Sequence, residues 1–208
     1  MKLLGSPRGL VVAALDYPYD GPERVRGWRE GLGVVQLARA ALRATPAAVL
    51  LATEWLLQQP WVDAQRVELV GVSLGVPFAA IAGAVEPRFR KVWLIHGGAD
   101  LESWISHNLE RRIASAPLRR VAARLIMRTA GGSHFEPAHW VPLIAPRPVV
   151  VIGAREDWRL PPALVEQLAA AARPPKQLHW TEGDHIDRRI ETIRELVDFV
   201  LRQLEEDA

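Results

Sequence analysis

The chain of 208 residues contains no cysteine. This excludes a disulfide framework, a thiolate metal site and a cysteine nucleophile. An excess of one charge sign is also missing, because 26 Lys+Arg residues against 24 Asp+Glu residues leave a net charge of +2. A nucleic-acid-binding protein would show a basic stripe with a large net excess, so we expect no nucleic-acid partner. A hydrophobic fraction of 49% with 24% charged residues excludes intrinsic disorder and a coiled coil.

Long uninterrupted apolar runs are missing as well. The longest apolar stretch, Ala44–Leu57, is interrupted by Thr45, Thr53 and Glu54, whereas a membrane helix needs about 18 apolar residues in a row. Near the N-terminus, the apolar run Leu10–Leu15 is too short for a signal peptide and has no small-residue cleavage site after it. The sequence therefore predicts no membrane span and a cytoplasmic protein.

Strand-length apolar segments alternate with helix-length periodic segments along the chain. The predicted strands are Leu10–Leu15, Val67–Val72, Lys91–His96, Val149–Ile152 and Gln177–Thr181. The predicted helices are Trp28–Gln59 with a break at Thr45-Pro46, Leu74–Val85, one or two helices over Ser103–Met127, Pro162–Ala172 and Ile186–Glu206. This alternation predicts an α/β fold of about five mainly parallel strands flanked by helices.

One domain is expected over residues 1–208, since the length suits a single hydrophobic core. The roughly 50 residues between the third and fourth predicted strands are more than one crossover helix needs. We therefore predict a small helical cap at about 101–142.

The pentapeptide Gly71-Val72-Ser73-Leu74-Gly75 has the form G-x-S-x-G. It ends a predicted strand and opens a predicted helix, which is the context that a nucleophile elbow requires. Glycine at 71 and 75 is expected because bulky side chains would clash in so tight a turn. The motif predicts Ser73 as a nucleophile above a helix N-terminus with free N–H groups. The alternative is a glycine-rich turn with an incidental serine.

A nucleophilic serine needs a base, and the base needs an orienting acid. His185 follows the fifth predicted strand, while Glu156 and Asp157 follow the fourth. The carboxyl ends of parallel strands meet at one edge of the sheet, where ligands bind. These residues are therefore candidates for base and acid, with Glu156 and Asp157 both open. An ordinary turn carboxylate and a surface histidine are the alternatives.

Two segments carry a family resemblance. Ala52–Gly75 (ATEWLLQQPWVDAQRVELVGVSLG) contains helix, turn, strand and elbow, and Ala145–Pro161 (APRPVVVIGAREDWRLP) contains a strand and an acid loop. Together with the histidine loop Glu182–His185, they resemble the α/β-hydrolase superfamily, in particular its dienelactone-hydrolase and small carboxylesterase branch. The family's first strands have no counterpart in the sequence.

The resemblance implies a role for each site residue. Ser73 would be the nucleophile, His185 the base and Asp157 its partner, because the family's acid is typically followed by two residues, an aliphatic residue and a proline, here Leu160-Pro161. Asp100 is the alternative acid, since some family members place the acid after the preceding strand.

The resemblance also implies an oxyanion hole, of which only one donor can be assigned. The backbone N–H of Leu74 is the first donor, and the family's second donor comes from a loop that the sequence lacks. Tyr17 or Tyr19 could supply a substitute. His96-Gly97-Gly98 looks like the family's missing motif but follows the elbow, so we interpret it as a loop that lines the pocket.

The missing strand would lie in the middle of the family's sheet, between the counterparts of Leu10–Leu15 and Val67–Val72. A gap there would leave two rows of backbone groups unpaired. Either the two strands pair directly or another chain fills the gap, and we expect a homodimer.

The cap region offers further candidates. Trp104, Trp140 and Trp158 could form walls of a substrate pocket, although core packing is the simpler interpretation. His134 and His139 flank Glu136, but their spacing does not suit a helical metal site, and we predict no metal. A cluster of arginines is interpreted as a solvated helix face: Arg111, Arg112, Arg119, Arg120, Arg124 and Arg128.

These expectations give two hypotheses for function. The first is a serine hydrolase that cleaves carboxylic esters of small molecules through an acyl-enzyme and needs no cofactor. The second is a non-catalytic or weakly active binding protein on a hydrolase scaffold, with an incomplete oxyanion hole.

Overall fold

The computed structural model describes residues 10–22, 28–185 and 190–206. The chain divides into two compact units, Met1–Trp55 and Leu56–Ala208. A single domain over residues 1–208 stays a prediction.

The first described segment, residues 10–22, contains neither helix nor strand. The strand predicted at Leu10–Leu15 is therefore wrong. A strand needs a neighbour to accept and donate its backbone hydrogen bonds, and no described strand pairs with Leu10–Leu15. Its side chains are correspondingly open, with Val11 64% and Val12 82% exposed.

A long helix follows, α1, which covers Trp28–Leu57. The predicted break at Thr45-Pro46 is wrong, because the helix continues with Pro46 inside it. The hydroxyl of Thr45 donates to the carbonyl of Ala41 at 2.8 Å, and Thr53 makes the same bond to the carbonyl four residues before it. These two polar side chains are satisfied within the helix and do not end it.

Because α1 is unbroken, its apolar helical segment is longer than the stretch Ala44–Leu57 noted in the sequence. Gly33–Leu57 is 25 residues long and apolar enough, by length and composition alone, to cross a membrane. A core helix of a soluble protein and a signal sequence meet the same criterion. The absence of a membrane partner stays a prediction.

The second unit is built on a four-stranded parallel sheet with strands in the order β1-β2-β3-β4. Its strands are β1 (Glu68–Val72), β2 (Lys91–Ile95), β3 (Val149–Ala154) and β4 (Lys176–Thr181). Its helices are α2 (Gly75–Val85), α3 (Leu101–Asn108), α4 (Ala116–Ala130), α5 (Pro137–Trp140), α6 (Pro162–Ala171) and α7 (Ile190–Glu206), with short 3₁₀ turns at Gly132–Phe135 and Val141–Leu143. The predicted α/β class is confirmed, with four strands in the described residues instead of about five.

The strand sequences explain the layering. All residues of β2 and β3 are buried, as expected for central strands covered on both faces. One face presents Trp93, Ile95, Val150 and Ile152 to apolar side chains of α7. On the opposite face, Val92 packs so closely against α2 that a Cβ on Gly83 would lie 2.9 Å from it.

The outer edge of β1 carries no strand among the described residues. Val70 and Val72 are 53% and 43% exposed there. An open strand edge with exposed apolar side chains is unusual, because it leaves backbone groups free to pair with another chain. The sequence analysis places the family's missing strand beside β1. Within the described ranges, the backbone groups on this edge of β1 have no partner strand.

The helical insertion predicted between the third and fourth strands is present between β2 and β3. The segment predicted as one or two helices over Ser103–Met127 forms two, α3 and α4. The predicted start of the last helix at Ile186 lies outside the described residues, and α7 is described from Ile190.

Candidate active site

Ser73 lies between the end of β1 and the start of α2, with φ of 52°. Its N–H donates to the carbonyl of Ile95 on the neighbouring strand, at 2.8 Å. A positive φ at a non-glycine residue is strained and is found mainly where the fold holds a side chain in a set direction. The elbow predicted from the sequence is therefore present in the backbone.

The two glycines of the elbow differ. A Cβ on Gly71 would lie 2.5 Å from the Cβ of Ala79 and 2.8 Å from the carbonyl oxygen of Gly75, so the close approach of β1 and α2 requires glycine at 71. A Cβ on Gly75 would meet nothing within 4 Å. The steric reason expected for Gly75 is therefore wrong, because the structure leaves open space beside it.

His185 lies in the loop after β4, with its side chain 5% exposed. Its Nε2 lies 2.8 Å from the hydroxyl oxygen of Ser73, although 112 residues separate the two in sequence. The backbone N–H of His185 donates to the carboxylate of Asp184 at 2.6 Å. This bond joins adjacent residues of the loop from which the imidazole projects.

Asp157 lies in the loop after β3, with its side chain 1% exposed. Its Oδ2 lies 2.5 Å from His185 Nδ1, and its Oδ1 accepts from the N–H groups of Arg159 at 2.8 Å and Leu160 at 3.0 Å. A carboxylate on Nδ1 requires the hydrogen there, so the neutral imidazole leaves Nε2 as an acceptor for the Ser73 hydroxyl.

The other two candidate acids are placed elsewhere. Glu156 is exposed, and its N–H donates to the carbonyl of Gly183. Asp100 has φ of 54° and accepts from the N–H of Ser103 at the start of α3. The Asp100 carboxylate caps that helix, and His185 Nδ1 is bonded to Asp157, the acid that the resemblance assigns, and not to Asp100.

The N–H of Leu74 makes no hydrogen bond to the described residues, and the residue is 53% exposed. This group follows Ser73 directly at the positive end of α2, so it is free to donate to a ligand. Tyr17 and Tyr19 lie in the first unit, where the hydroxyl of Tyr19 donates to the carbonyl of Pro22 at 3.2 Å. A second oxyanion donor from either tyrosine stays a prediction.

His96 ends β2 with φ of 52° and is 5% exposed. Its ring centre lies 5.8 Å from that of His185. Burial lowers the pKa of His96, and the neighbouring His185 lowers it further, against a smaller opposing effect of Asp157. The glycines that follow let the chain run against two helices, because a Cβ would lie 2.4 Å from Val76 at Gly97 and 2.8 Å from Leu164 at Gly98.

The three tryptophans proposed as pocket walls have different surroundings in the structure. Trp140 lines a surface cavity of about 260 Å³ with Ser133, His134, His139 and Leu143, a set that includes none of the three bonded side chains. Trp104 donates through Nε1 to the carbonyl of Arg159, and Trp158, 40% exposed, lies beside Asp157 in sequence. A pocket-lining role for Trp104 and Trp158 stays a prediction, and for Trp140 the location argues against it.

His134, Glu136 and His139 do not converge. The Glu136 carboxylate accepts from the N–H groups of Asp100 and Leu101, each at 2.9 Å, while the ring of His134 packs edge-on against Trp140. Within the described ranges, no three His, Asp or Glu side chains are grouped as metal ligands.

The arginine face predicted for the cap is partly neutralised. Arg119 pairs with Glu110 at 3.2 Å, and Arg124 pairs with Glu102 at 3.0 Å. The pair of Arg124 with Glu102 fits the solvated helix surface expected from the sequence, whereas the Arg119 side chain is only 16% exposed.

Three contributions to the site were not found from the sequence. Asp184 and Glu136 bond backbone N–H groups, and a face of α3 bonds the loop after Asp157. Backbone acceptors and donors leave no pattern in the sequence, so these contacts had no local signal. The one sequence signal for these contacts is the helical spacing of Trp104, His107 and Asn108, which places the three polar side chains on one face of α3.

No protein-family model and no curated protein matches the sequence. Solved structures do match in fold. An α/β hydrolase, GrgF from Penicillium sp. sh18, has 15% identity and a TM-score of 0.62 over 79% of this chain and 72% of that one. An acetyl xylan esterase from Paenibacillus sp. R4 has 16% identity and a TM-score of 0.62 over 80% of this chain and 53% of that one.

A glucuronoyl esterase from Solibacter usitatus has 21% identity and a TM-score of 0.54 over 76% of this chain and 47% of that one. The chain thus spans about half the length of these two esterases. The dienelactone-hydrolase branch is not distinguished by these likenesses and stays a prediction. At this level of identity, they show that the chain has the α/β-hydrolase fold.

Proposed function

We propose that the chain is a serine hydrolase that cleaves carboxylic esters of small molecules. One observation carries the proposal: Ser73 Oγ lies 2.8 Å from His185 Nε2, and His185 Nδ1 lies 2.5 Å from Asp157 Oδ2. A nucleophile bonded to a base, with the base bonded to a buried carboxylate, is the arrangement that activates a serine. The esterases among the structures of similar fold support ester as the substrate class.

In the proposed reaction, His185 Nε2 accepts the hydroxyl proton of Ser73 as its oxygen attacks the ester carbonyl. The Leu74 N–H donates to the oxygen that becomes negative. Protonated His185 then gives its proton to the leaving alcohol, and the Ser73 ester remains. Water attacks this ester with His185 again as base, which releases the acid and restores Ser73.

Asp157 favours the imidazolium that forms on His185, and His96 does not oppose it. The Asp157 carboxylate holds the Nδ1 hydrogen and balances the charge. His96, whose pKa is lowered mainly by burial, is neutral near pH 7 and therefore adds no repelling charge. A second cation 5.8 Å away would oppose proton transfer from Ser73.

A fluorophosphonate probe tests the proposal without a choice of substrate, because it labels only an activated serine. We expect labelling of the wild-type chain at Ser73, loss of labelling in Ser73→Ala, and full labelling in Ser106→Ala, a matched serine on α3. Hydrolysis of short p-nitrophenyl esters should fall by about 10⁴-fold or more in Ser73→Ala.

Equal ester hydrolysis by the wild type and Ser73→Ala, with neither labelled, would overturn the proposal and favour the non-catalytic binding protein. The weakly active form of that alternative rests on the oxyanion hole, in which only one donor is assigned. Loss of one such donor lowers the rate by about 10²–10³-fold. Matched amide, thioester and lactone substrates, run beside the esters, establish the substrate class.

A further inference from the structure

One face of α3 points at the loop that holds Asp157. Trp104, His107 and Asn108 recur at the spacing that places side chains on one side of a helix, and Arg111 continues the row one turn beyond the end of α3. This row differs from the apolar positions expected of a helix that only covers a core, because each member carries a hydrogen-bond donor.

All four side chains contact the two residues that follow Asp157. The indole N–H of Trp104 and the side-chain amide of Asn108 both donate to the carbonyl of Arg159, each at 2.9 Å. His107 Nε2 lies 2.8 Å from the carbonyl of Trp158, which can only accept, so Nε2 donates. The guanidinium of Arg111 lies 3.7 Å from the centre of the Trp158 ring.

The same short loop is held from its other side by Asp157 itself. Asp157 Oδ1 accepts from the N–H groups of Arg159 and Leu160, while Oδ2 is bonded to His185. The backbone carbonyls at 158 and 159 face α3, and the N–H groups at 159 and 160 face the carboxylate. The direction of the Asp157 carboxylate therefore depends on a loop that α3 fixes.

α3 is in turn fixed at its first turn. The Glu136 carboxylate accepts from the N–H groups of Asp100 and Leu101, and Asp100 accepts from the N–H of Ser103. Leu101 is 9% exposed. These bonds satisfy helix donors that would otherwise lack partners, and they give α3 a defined position from which to hold the acid loop.

We infer that Trp104, His107 and Asn108 are positioning residues for Asp157, so that the helical segment between β2 and β3 orients the proton-transfer chain. This inference rests on the proposed function, because it concerns the same Asp157–His185–Ser73 chain. A displacement of about 1 Å in such a chain can lower the rate by about 10²-fold, so the loss of these contacts should be visible in kcat.

The test compares a double variant, Trp104→Phe with Asn108→Leu, with the wild type and with Ser106→Ala on the same helix. The double variant keeps an aromatic ring at the first position and a branched side chain at the second, and it removes both donors to the Arg159 carbonyl. We expect its kcat on p-nitrophenyl acetate to fall by about 10-fold to 10²-fold, with KM changed by less than about two-fold. Ser106→Ala should match the wild type.

A spectroscopic measurement separates positioning from a general loss of structure. The far-downfield proton resonance of the His185 Nδ1–Asp157 bond should shift or broaden in the double variant and stay unchanged in Ser106→Ala. His107→Gln, which keeps a donor near Nε2, should retain kcat, and His107→Leu should lose it. If the double variant does not fold, Asn108→Leu alone, which removes one donor, is judged by the same two measurements.

A wild-type kcat and an unchanged resonance in the folded variants would overturn the inference and leave the proposed function intact. A fall in kcat with an unchanged resonance would also overturn it, because the effect would then not pass through Asp157. Failure of the wild type to react with the fluorophosphonate probe would refute the proposed function, and the positioning role with it.

Discussion

Replacement of Asp157 by asparagine separates the two tasks of this carboxylate. The new amide would keep one oxygen for the N–H groups of Arg159 and Leu160, which now lie 2.8 and 3.0 Å from Oδ1. Its NH₂ group would face His185 Nδ1 and donate to it, so the imidazole would carry its hydrogen on Nε2. With that tautomer, His185 cannot accept the Ser73 proton.

The expected result is a large loss of rate with a small loss of stability. Loss of the correct tautomer lowers kcat by about 10⁴-fold in enzymes with this arrangement. Asp157→Ala should lower activity similarly but also removes the acceptor for the buried Leu160 N–H. An unsatisfied buried donor costs about 1–3 kcal/mol, so we expect Asp157→Ala to be less stable than Asp157→Asn by that amount.

The assay is steady-state hydrolysis of p-nitrophenyl acetate with urea unfolding of the three proteins in the same buffer. A kcat for Asp157→Asn within about ten-fold of the wild type would refute the assigned role of Asp157. Equal unfolding free energies for the asparagine and alanine variants would refute the argument that Oδ1 holds the loop.

Three further predictions follow from other parts of the structure. Gly71→Ala should destabilise the fold by about 1–3 kcal/mol through overpacking against α2, whereas Gly75→Ala, with nothing within 4 Å, should lie within about 0.5 kcal/mol of the wild type. Equal urea midpoints for these variants would contradict the elbow geometry. Burial lowers the pKa of His96 and His179, so the unfolded chain binds more protons below about pH 6.5. The unfolding free energy should therefore fall as pH drops through that value, and less steeply in His179→Gln; an unchanged slope would contradict this. We propose a homodimer because the outer edge of β1 has no partner strand among the described residues. Light scattering should give about twice 23.1 kDa, and a stable monomer would exclude the dimer.

The fold of the second unit could be predicted because its signals are local. Apolar runs of strand length at β2 and β3 are typical of strands buried on both faces of a parallel sheet, and helix-length periodicity marks the segments between them. The strand predicted at Leu10–Leu15, which the structure lacks, shows what local signals omit. Leu10–Leu15 has the composition of a strand, but composition does not supply a neighbour for its backbone, and no described strand pairs with it.

The candidate site also has residues that the sequence predicts and contacts that it does not. Ser73, Asp157 and His185 were predicted because each follows a strand at the same edge of the sheet, so topology alone brings them together. The choice of Asp157 over Glu156 came from the resemblance. In the structure Asp157 is buried and Glu156 is exposed. The contacts of α3 with the Arg159 carbonyl join residues 51 and 55 positions apart, and only the folded chain shows such pairs.

The helical segment between β2 and β3 therefore has a structural consequence at the candidate site. If it served only to enclose substrate, its contacts with the acid loop could be apolar and interchangeable. Instead, indole, amide and imidazole donors on one face of α3 meet two successive carbonyls, and Asp157 holds the N–H groups of the same loop. Directional bonds on both sides of a loop fix its orientation, whereas apolar packing fixes only its distance. A change that tilts α3 should thus alter proton transfer at Ser73 before it alters the stability of the sheet.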